Sequence, residues 1–162
     1  MTTDERASLI KQYKEGYRQV TDALRGISEQ ELDFGHAPGK WSAREIVHHL
    51  ADSETTSGIR LRKLLTEFNP YIQAYDQDDF AKKLQYSKRP IEPALKALEA
   101  AIETTSQIID LMTEEDWKRG GEHAEVGPYS TEKWLEIYSV HARNHADQIR
   151  RSRAAFKERK RK

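Results

Sequence analysis

Apolar side chains recur at steps of three and four in four separate stretches of the chain. In the first, Ile10, Tyr13, Tyr17, Val20, Leu24 and Ile27 form one stripe, which predicts an amphipathic helix over roughly Asp4–Arg25. A polar stretch around Ser28-Glu29-Gln30-Glu31-Leu32 and a Pro38-Gly39 loop follow. Ser42-Ala43-Arg44-Glu45 is a capping box, so a second helix starts at Ser42 and is carried inward by Ile46, Val47, Leu50, Leu61, Leu64 and Leu65. Between Asn69-Pro70 and Arg89-Pro90 the pattern weakens, and Tyr75, Phe80, Leu84 and Tyr86 stand among charges. This reads as a long crossover with one short helix. Ile91, Leu95, Leu98, Ile102, Ile109 and Met112 restore helical spacing, with Pro90 and Pro93 confined to the first turn. Thr113-Glu114-Glu115-Asp116 is a second capping signal, and Gly120-Gly121 and Gly127-Pro128 predict a loop. The last helix begins near Ser130-Thr131 and runs through Trp134, Ile137, Tyr138, His141, His145 and Ile149. No alternating segment is long enough to predict a strand, and no internal repeat is present. The expected fold is all-α, a four-helix bundle with long crossover connections, in one domain over residues 1–155 followed by a basic tail over 156–162.

With 162 residues the chain can bury a core without staples, and 36% apolar against 33% charged residues describes a foldable, very polar protein. It contains no cysteine, which excludes disulfides, thiolate metal sites and cysteine nucleophiles, and leaves any metal to nitrogen and oxygen ligands. Its 27 basic and 27 acidic side chains cancel, so no global field favours nucleic acid or an anionic membrane. The distribution is uneven: Arg150 to Lys162 holds eight basic residues and one acid, Glu158. A run of this kind at a helix C-terminus complements the helix dipole, and it is read here as a solvated face rather than a nucleic-acid arm. No apolar run reaches the length of a membrane span and the N-terminus has no signal-peptide core, so the expected location is the cytoplasm.

Inside a helical bundle the histidines become the residues of interest. His141 and His145 lie four apart, one turn along the same side of a helix. At 100° per residue from His141, His145 falls near 40°, between Trp134 at about 20° and Ile149 at about 80°, in the middle of the apolar face. Two neutral imidazoles in a core gain little from one another unless something lies between them, and a shared ion would serve. On the second helix only one of His48 and His49 can face inward, and the same wheel chooses His49 and turns His48 outward. His49, His141 and His145 together supply three imidazoles, the count found in catalytic zinc sites that keep a coordination position open. Phosphate loops, nucleophile elbows and the His-Glu-x-x-His motif are absent. Glu45-Ile46-Val47-His48 matches the di-iron Glu-x-x-His signature only once. Arg60 and Asp52 are candidate catalytic residues, Arg60 as a fork for a substrate carboxylate and Asp52 or Ser53 as a partner that orients an imidazole. His123 is expected in a Gly-rich loop able to fold over the site.

Trp41-Ser42, Glu45-Ile46-Val47-His48-His49-Leu50-Ala51-Asp52-Ser53 and Arg60 resemble the second-helix signature of the DinB/YfiT-like superfamily. His141-Ala142-Arg143-Asn144-His145 resembles its fourth-helix signature, and Tyr75-Asp76 and Trp117-Lys118-Arg119-Gly120 with His123 resemble its connecting segments. The resemblance implies a four-helix bundle with one divalent ion, zinc or nickel, on His49, His141 and His145, in a homodimer that acts on a small molecule. Glu54 stands where another histidine is expected, and Phe80 where a tryptophan is expected. The activity implied is metal-dependent hydrolysis or transfer of a low-molecular-weight thiol such as bacillithiol to an electrophile. The alternative is a noncatalytic, metal-stabilised bundle that acts as a stress-associated binding module.

Overall fold

The computed structural model describes residues 1–161. Several of its helices start where the capping chemistry directs. Ser42 Oγ accepts from the Glu45 amide and the Glu45 carboxylate from the Ser42 amide, opening α4 (Ala43–Thr66). Thr2 with Glu5 opens α1 (Thr3–Lys14) in the same way, and Ser28 with Glu31 opens the single turn α3 (Glu29–Leu32). The expected first helix is two: the chain breaks at Glu15 and resumes as α2 (Gly16–Leu24). A Cβ on Gly16 would lie 3.0 Å from Ala142 Cβ, so the break falls where the chain presses closest to the last helix.

The expected crossover contains strand β1 (Tyr71–Ile72), helix α5 (Gln77–Lys83) and a 3₁₀ turn (Tyr86–Lys88) before α6 (Ile91–Leu111). The short α7 (Glu114–Trp117) then leads to β2 (Gly120–His123), β3 (Gly127–Ser130) and the long α8 (Thr131–Arg161). The basic end of the chain is the last turns of α8. There Phe156 packs on Phe34 with ring centroids 5.4 Å apart, and Lys162 lies outside the described residues.

Direction follows from the bonds between helices. Arg44 Nη1 donates to the Arg89 carbonyl at 3.2 Å near the starts of α4 and α6, and Arg62 Nη1 to Thr105 Oγ1 at 3.4 Å towards their ends, so the two run parallel. α8 opposes α4, since Trp134 Nε1 donates to the Ser57 carbonyl at 2.9 Å while His141 comes level with His49. α1 and α2 accompany α8, with Arg6 paired to Glu114 at 2.7 Å at one end and Arg153 donating to the Ala23 carbonyl at 2.6 Å at the other. The order is therefore up, down, down, up, and the parallel α4–α6 pair is what requires a long return connection. Trp134, Ile46, Leu50, Leu61, Leu64, Leu98, Leu135 and Ile149 fill the centre.

A small sheet corrects the expectation that the chain forms no strands. β1 pairs parallel with β2, placing Ile72 beside His123, and β2 pairs antiparallel with β3 through a turn that ends at Gly127, where φ is +73°. Strands of two and four residues are too short for alternation to appear in the sequence. They form because two connections dock on each other: the Glu122 amide donates to the Pro70 carbonyl and the Ala124 amide to the Ile72 carbonyl, both at 3.0 Å. The approach is so close that a Cβ on Gly121 would sit 2.2 Å from the Pro70 carbonyl oxygen. Gly121→Ala is expected to lower stability by about 2 kcal/mol in urea unfolding. Gly120→Ala, whose Cβ would meet its nearest atom at an ordinary 3.4 Å, should stay within about 0.5 kcal/mol of wild type.

Candidate metal centre

The antiparallel crossing of α4 and α8 brings His49 against His141 and His145. Ring centroids are 5.3 Å apart for His49–His141, 4.7 Å for His49–His145 and 4.8 Å for His141–His145. One ring nitrogen from each lies within 4.8 Å of the other two. Trp41, the residue before the α4 cap, covers the cluster: its ring is 4.8 Å from that of His49 and stacks nearly parallel to His145 at 6.5 Å. Burial in this seam, with the neighbouring imidazoles, pushes the His49 pKa down to about 2 and that of His145 to about 4, so both rings are neutral at physiological pH.

Neighbours also fix which nitrogen carries the proton. His141 Nδ1 faces Glu54 Oε1 at 3.4 Å, and His145 Nδ1 faces Gln148 Oε1 at 3.0 Å. Both partners accept, so each Nδ1 carries the hydrogen and each Nε2 offers a lone pair. Glu54 is fully buried and is itself held by Tyr13 Oη at 3.3 Å and Ser57 Oγ at 3.2 Å. His49 Nε2 lies 3.3 Å from His141 Nε2. Two imidazoles on one tetrahedral ion, with bonds of about 2.0–2.1 Å, stand about 3.3 Å apart, so the His49–His141 pair has the separation that a divalent ion such as zinc takes, with the His145 nitrogen within 4.8 Å of both.

The other expected residues divide. His48 does not face solvent: it is 2% exposed, stacks on Tyr86 with centroids 5.6 Å apart, and its Nε2 bonds the Arg89 carbonyl at 3.2 Å. The wheel turned it outward because it counted one buried stripe, whereas the crossover covers a second side of α4. That same crossover engages Asp52, whose Oδ2 accepts from Tyr86 Oη at 2.5 Å, so Glu54 rather than Asp52 or Ser53 orients an imidazole. Glu54 falls about 80° from Ile46 on the wheel, inside the apolar face, and an acid in that stripe was the available signal. Phe80, where a tryptophan was expected, packs on Tyr75 at 4.5 Å.

Arg60 reaches beside the cluster, where Nη1 donates to Tyr138 Oη at 3.0 Å and Nη2 to the Gln73 carbonyl at 2.9 Å. His123 lies in β2 rather than in a loop. It lines a cleft of about 240 Å³ together with Arg60, Tyr75, Tyr129, Tyr138 and His141. The sequence pattern marks Tyr138 only as one of the core aromatics of the last helix and does not single out Tyr129.

A bundle of up, down, down, up order, with three imidazoles converging between two of its long helices, has the architecture in which helical bundles build interior ligand sites. The chain is a member of the DinB superfamily, whose pattern matches residues 12–149. It is 32% identical over 132 residues to an Oceanobacillus iheyensis protein named "Putative metal-dependent hydrolase", a match that covers 82% of this chain and 76% of that one. It is 29% identical over 140 residues to a Bacillus cereus protein of the same name, covering 86% and 80%. Among solved structures it is similar to YfiT from Bacillus subtilis, described as a "probable metal-dependent hydrolase with an unusual four-helix bundle topology". That similarity has a TM-score of 0.88 and 25% identity, and covers 94% of this chain and 87% of that one. A mycothiol-dependent maleylpyruvate isomerase shares the fold at a TM-score of 0.72 and 14% identity, over 92% of this chain and 63% of that one. Among the described residues no helix is long and apolar enough to cross a membrane.

The depressed histidine values set an acid limit on the metal-free protein. The unfolded chain takes up these protons near the ordinary imidazole value of 6.5, whereas folded His145 resists to about 4 and folded His49 to about 2. Stability is therefore complete above about pH 6.5 and is lost as pH falls through that window, by at most about 1.4 kcal/mol per unit for each ring. Thermal unfolding in the presence of a chelator should show Tm falling from pH 6.5 to pH 5, with a shallower slope for His49→Gln.

Proposed function

We propose that the chain is a metal-dependent enzyme acting on a small molecule, with His49, His141 and His145 holding one divalent ion, zinc or nickel. The observation that carries this reading is the convergence of three ring nitrogens within 4.8 Å, two of them 3.3 Å apart. The reaction class is hydrolysis or the transfer of a low-molecular-weight thiol to an electrophile. A divalent ion supplies Lewis acidity to either chemistry and allows a water or thiol to ionise near neutral pH. The chain's own residues do the rest. Glu54 and Gln148 keep the His141 and His145 lone pairs aimed at one point, and the Trp41 ring limits water on one side. Arg60 offers a guanidinium at the edge of the cleft that His141 also lines.

Metal analysis of untagged protein tests the proposal. Wild type is expected to carry or take up one equivalent of zinc or nickel, and His141→Ala and His145→Ala to lose it. A wild type that cannot be loaded overturns the reading. If the metal is bound and raises Tm, but neither ester and amide hydrolysis nor thiol transfer can be detected, the noncatalytic binding module is favoured. Glu54→Gln keeps the size of the side chain and removes its charge, and should weaken metal affinity roughly tenfold in chelator competition.

A further inference from the structure

Among the described residues the buried Glu54 carboxylate has no lysine or arginine within 4.0 Å, and the one basic side chain that close is His141. A carboxylate so placed needs donors on its lone pairs, because water cannot supply them. Its two oxygens are used differently. Oε1 faces His141 Nδ1 at 3.4 Å, whereas Oε2 accepts from Tyr13 Oη at 3.3 Å and lies 3.2 Å from Ser57 Oγ. Ser57 has a single hydroxyl hydrogen and also stands 3.0 Å from the Glu54 backbone carbonyl, so its donation is divided. Among the described residues Tyr13 Oη donates to Glu54 alone.

Tyr13 is in turn held from behind. The buried Thr105 hydroxyl on α6 donates to Tyr13 Oη and itself accepts from Arg62 Nη1 at 3.4 Å. Burial, with the Glu54 carboxylate beside it, holds the Tyr13 hydroxyl well above the ordinary phenol value, so it remains a donor. Each hydrogen in the series Arg62, Thr105, Tyr13 therefore points towards Glu54, and bonds aligned in one direction polarise one another. Room for the series depends on Gly58. A Cβ there would stand 2.9 Å from Arg62 Nη1 and 3.0 Å from Thr105 Oγ1, which accounts for a glycine in the middle of α4, where that residue is otherwise unfavourable. The series passes from α4 through α6 and α1 back to α4, and Glu54 hands it to an imidazole on α8.

We propose that Tyr13 is a positioning residue for the histidine cluster: by holding Glu54 Oε2 it leaves Oε1 to fix the His141 ring, with the hydrogen on Nδ1 and the Nε2 lone pair towards His49. Its bearing on catalysis rests on the proposed metal centre, but its hold on the His141 ring operates in the metal-free protein. Without the hydroxyl, Oε2 keeps only the divided donor Ser57, and the carboxylate no longer holds one orientation. The His141 ring can then take its other tautomer, whose Nε2 hydrogen blocks coordination. Phenylalanine at this position tests the hydroxyl alone, because the Tyr13 ring packs on Trp134 with centroids 5.2 Å apart and that packing is kept.

The test compares full-length wild type, Tyr13→Phe, Glu54→Gln and the double variant. In metal-free protein, long-range proton–nitrogen NMR is expected to show the wild-type His141 hydrogen on Nδ1, and a mixture of tautomers in Tyr13→Phe. In chelator competition with zinc, Tyr13→Phe should weaken binding about fivefold. In the Glu54→Gln background the same change should add less than about twofold, since Tyr13 acts through Glu54. A wild-type His141 that carries its hydrogen on Nε2 overturns the proposal. So does a Tyr13→Phe variant that keeps the wild-type tautomer and zinc affinity, even with a lowered Tm, because a purely structural hydroxyl would behave in that way. An equal loss of affinity in both backgrounds overturns it as well. Zinc uptake that ignores Tyr13→Phe sinks the positioning role alone. A wild type that takes up no zinc sinks the metal centre, and the tautomer comparison then decides the positioning role by itself.

Discussion

A polar group placed in the middle of a helical bundle must be satisfied by other groups in that bundle, and α4 is the helix on which this constraint falls hardest. His48, His49, Ser53, Glu54 and Ser57 are all buried along it. Four of them have an identifiable partner: the Arg89 carbonyl for His48, His141 for His49, and Tyr13, His141 and Ser57 for Glu54, which in turn satisfies Ser57. Removing one member would leave another unsatisfied in a low-dielectric seam, so the cluster fixes how α4 sits against α8 as well as offering ligands. Tyr13 extends the network into α1, which makes the first helix part of the support for His141 although it supplies no residue to the cluster.

The parallel course of α4 and α6 shapes the surroundings of this seam. A chain leaving the end of α4 must return the length of the bundle before α6 can begin, and the return path passes over the side of α4 that carries His48 and Asp52. On its way it contributes β1, which pairs with the hairpin between α7 and α8. Two connections from distant parts of the sequence therefore meet over one end of the histidine cluster. Arg60 ties the first of them to the bundle by bonding Gln73 on it and Tyr138 on α8.

The bundle was legible because caps and apolar periodicity are local signals. Ser42 with Glu45 and Thr113 with Asp116 mark element starts without knowledge of the rest of the chain. α8 buries mainly one stripe, and there helical-wheel arithmetic placed His141 and His145 together on the apolar face. α4 is covered on several sides, so the same arithmetic found His49 but turned His48 the wrong way. Glu15 gives no sign of the break between α1 and α2, which falls beside the close pass of Gly16 against Ala142. The sheet was illegible for a related reason, since β1 and β2 owe their existence to each other's docking and not to the pattern within either.

The histidines stand on long helices, whereas Tyr75, His123 and Tyr129 stand on the two connections. The imidazole cluster and the wall of the cleft beside it are thus held by different parts of the chain. Insertions, deletions or substitutions in the connections can remodel the chamber around the imidazoles while the framework that aims them stays in place. One scaffold can in this way diversify its choice of molecules without first having to rebuild its centre.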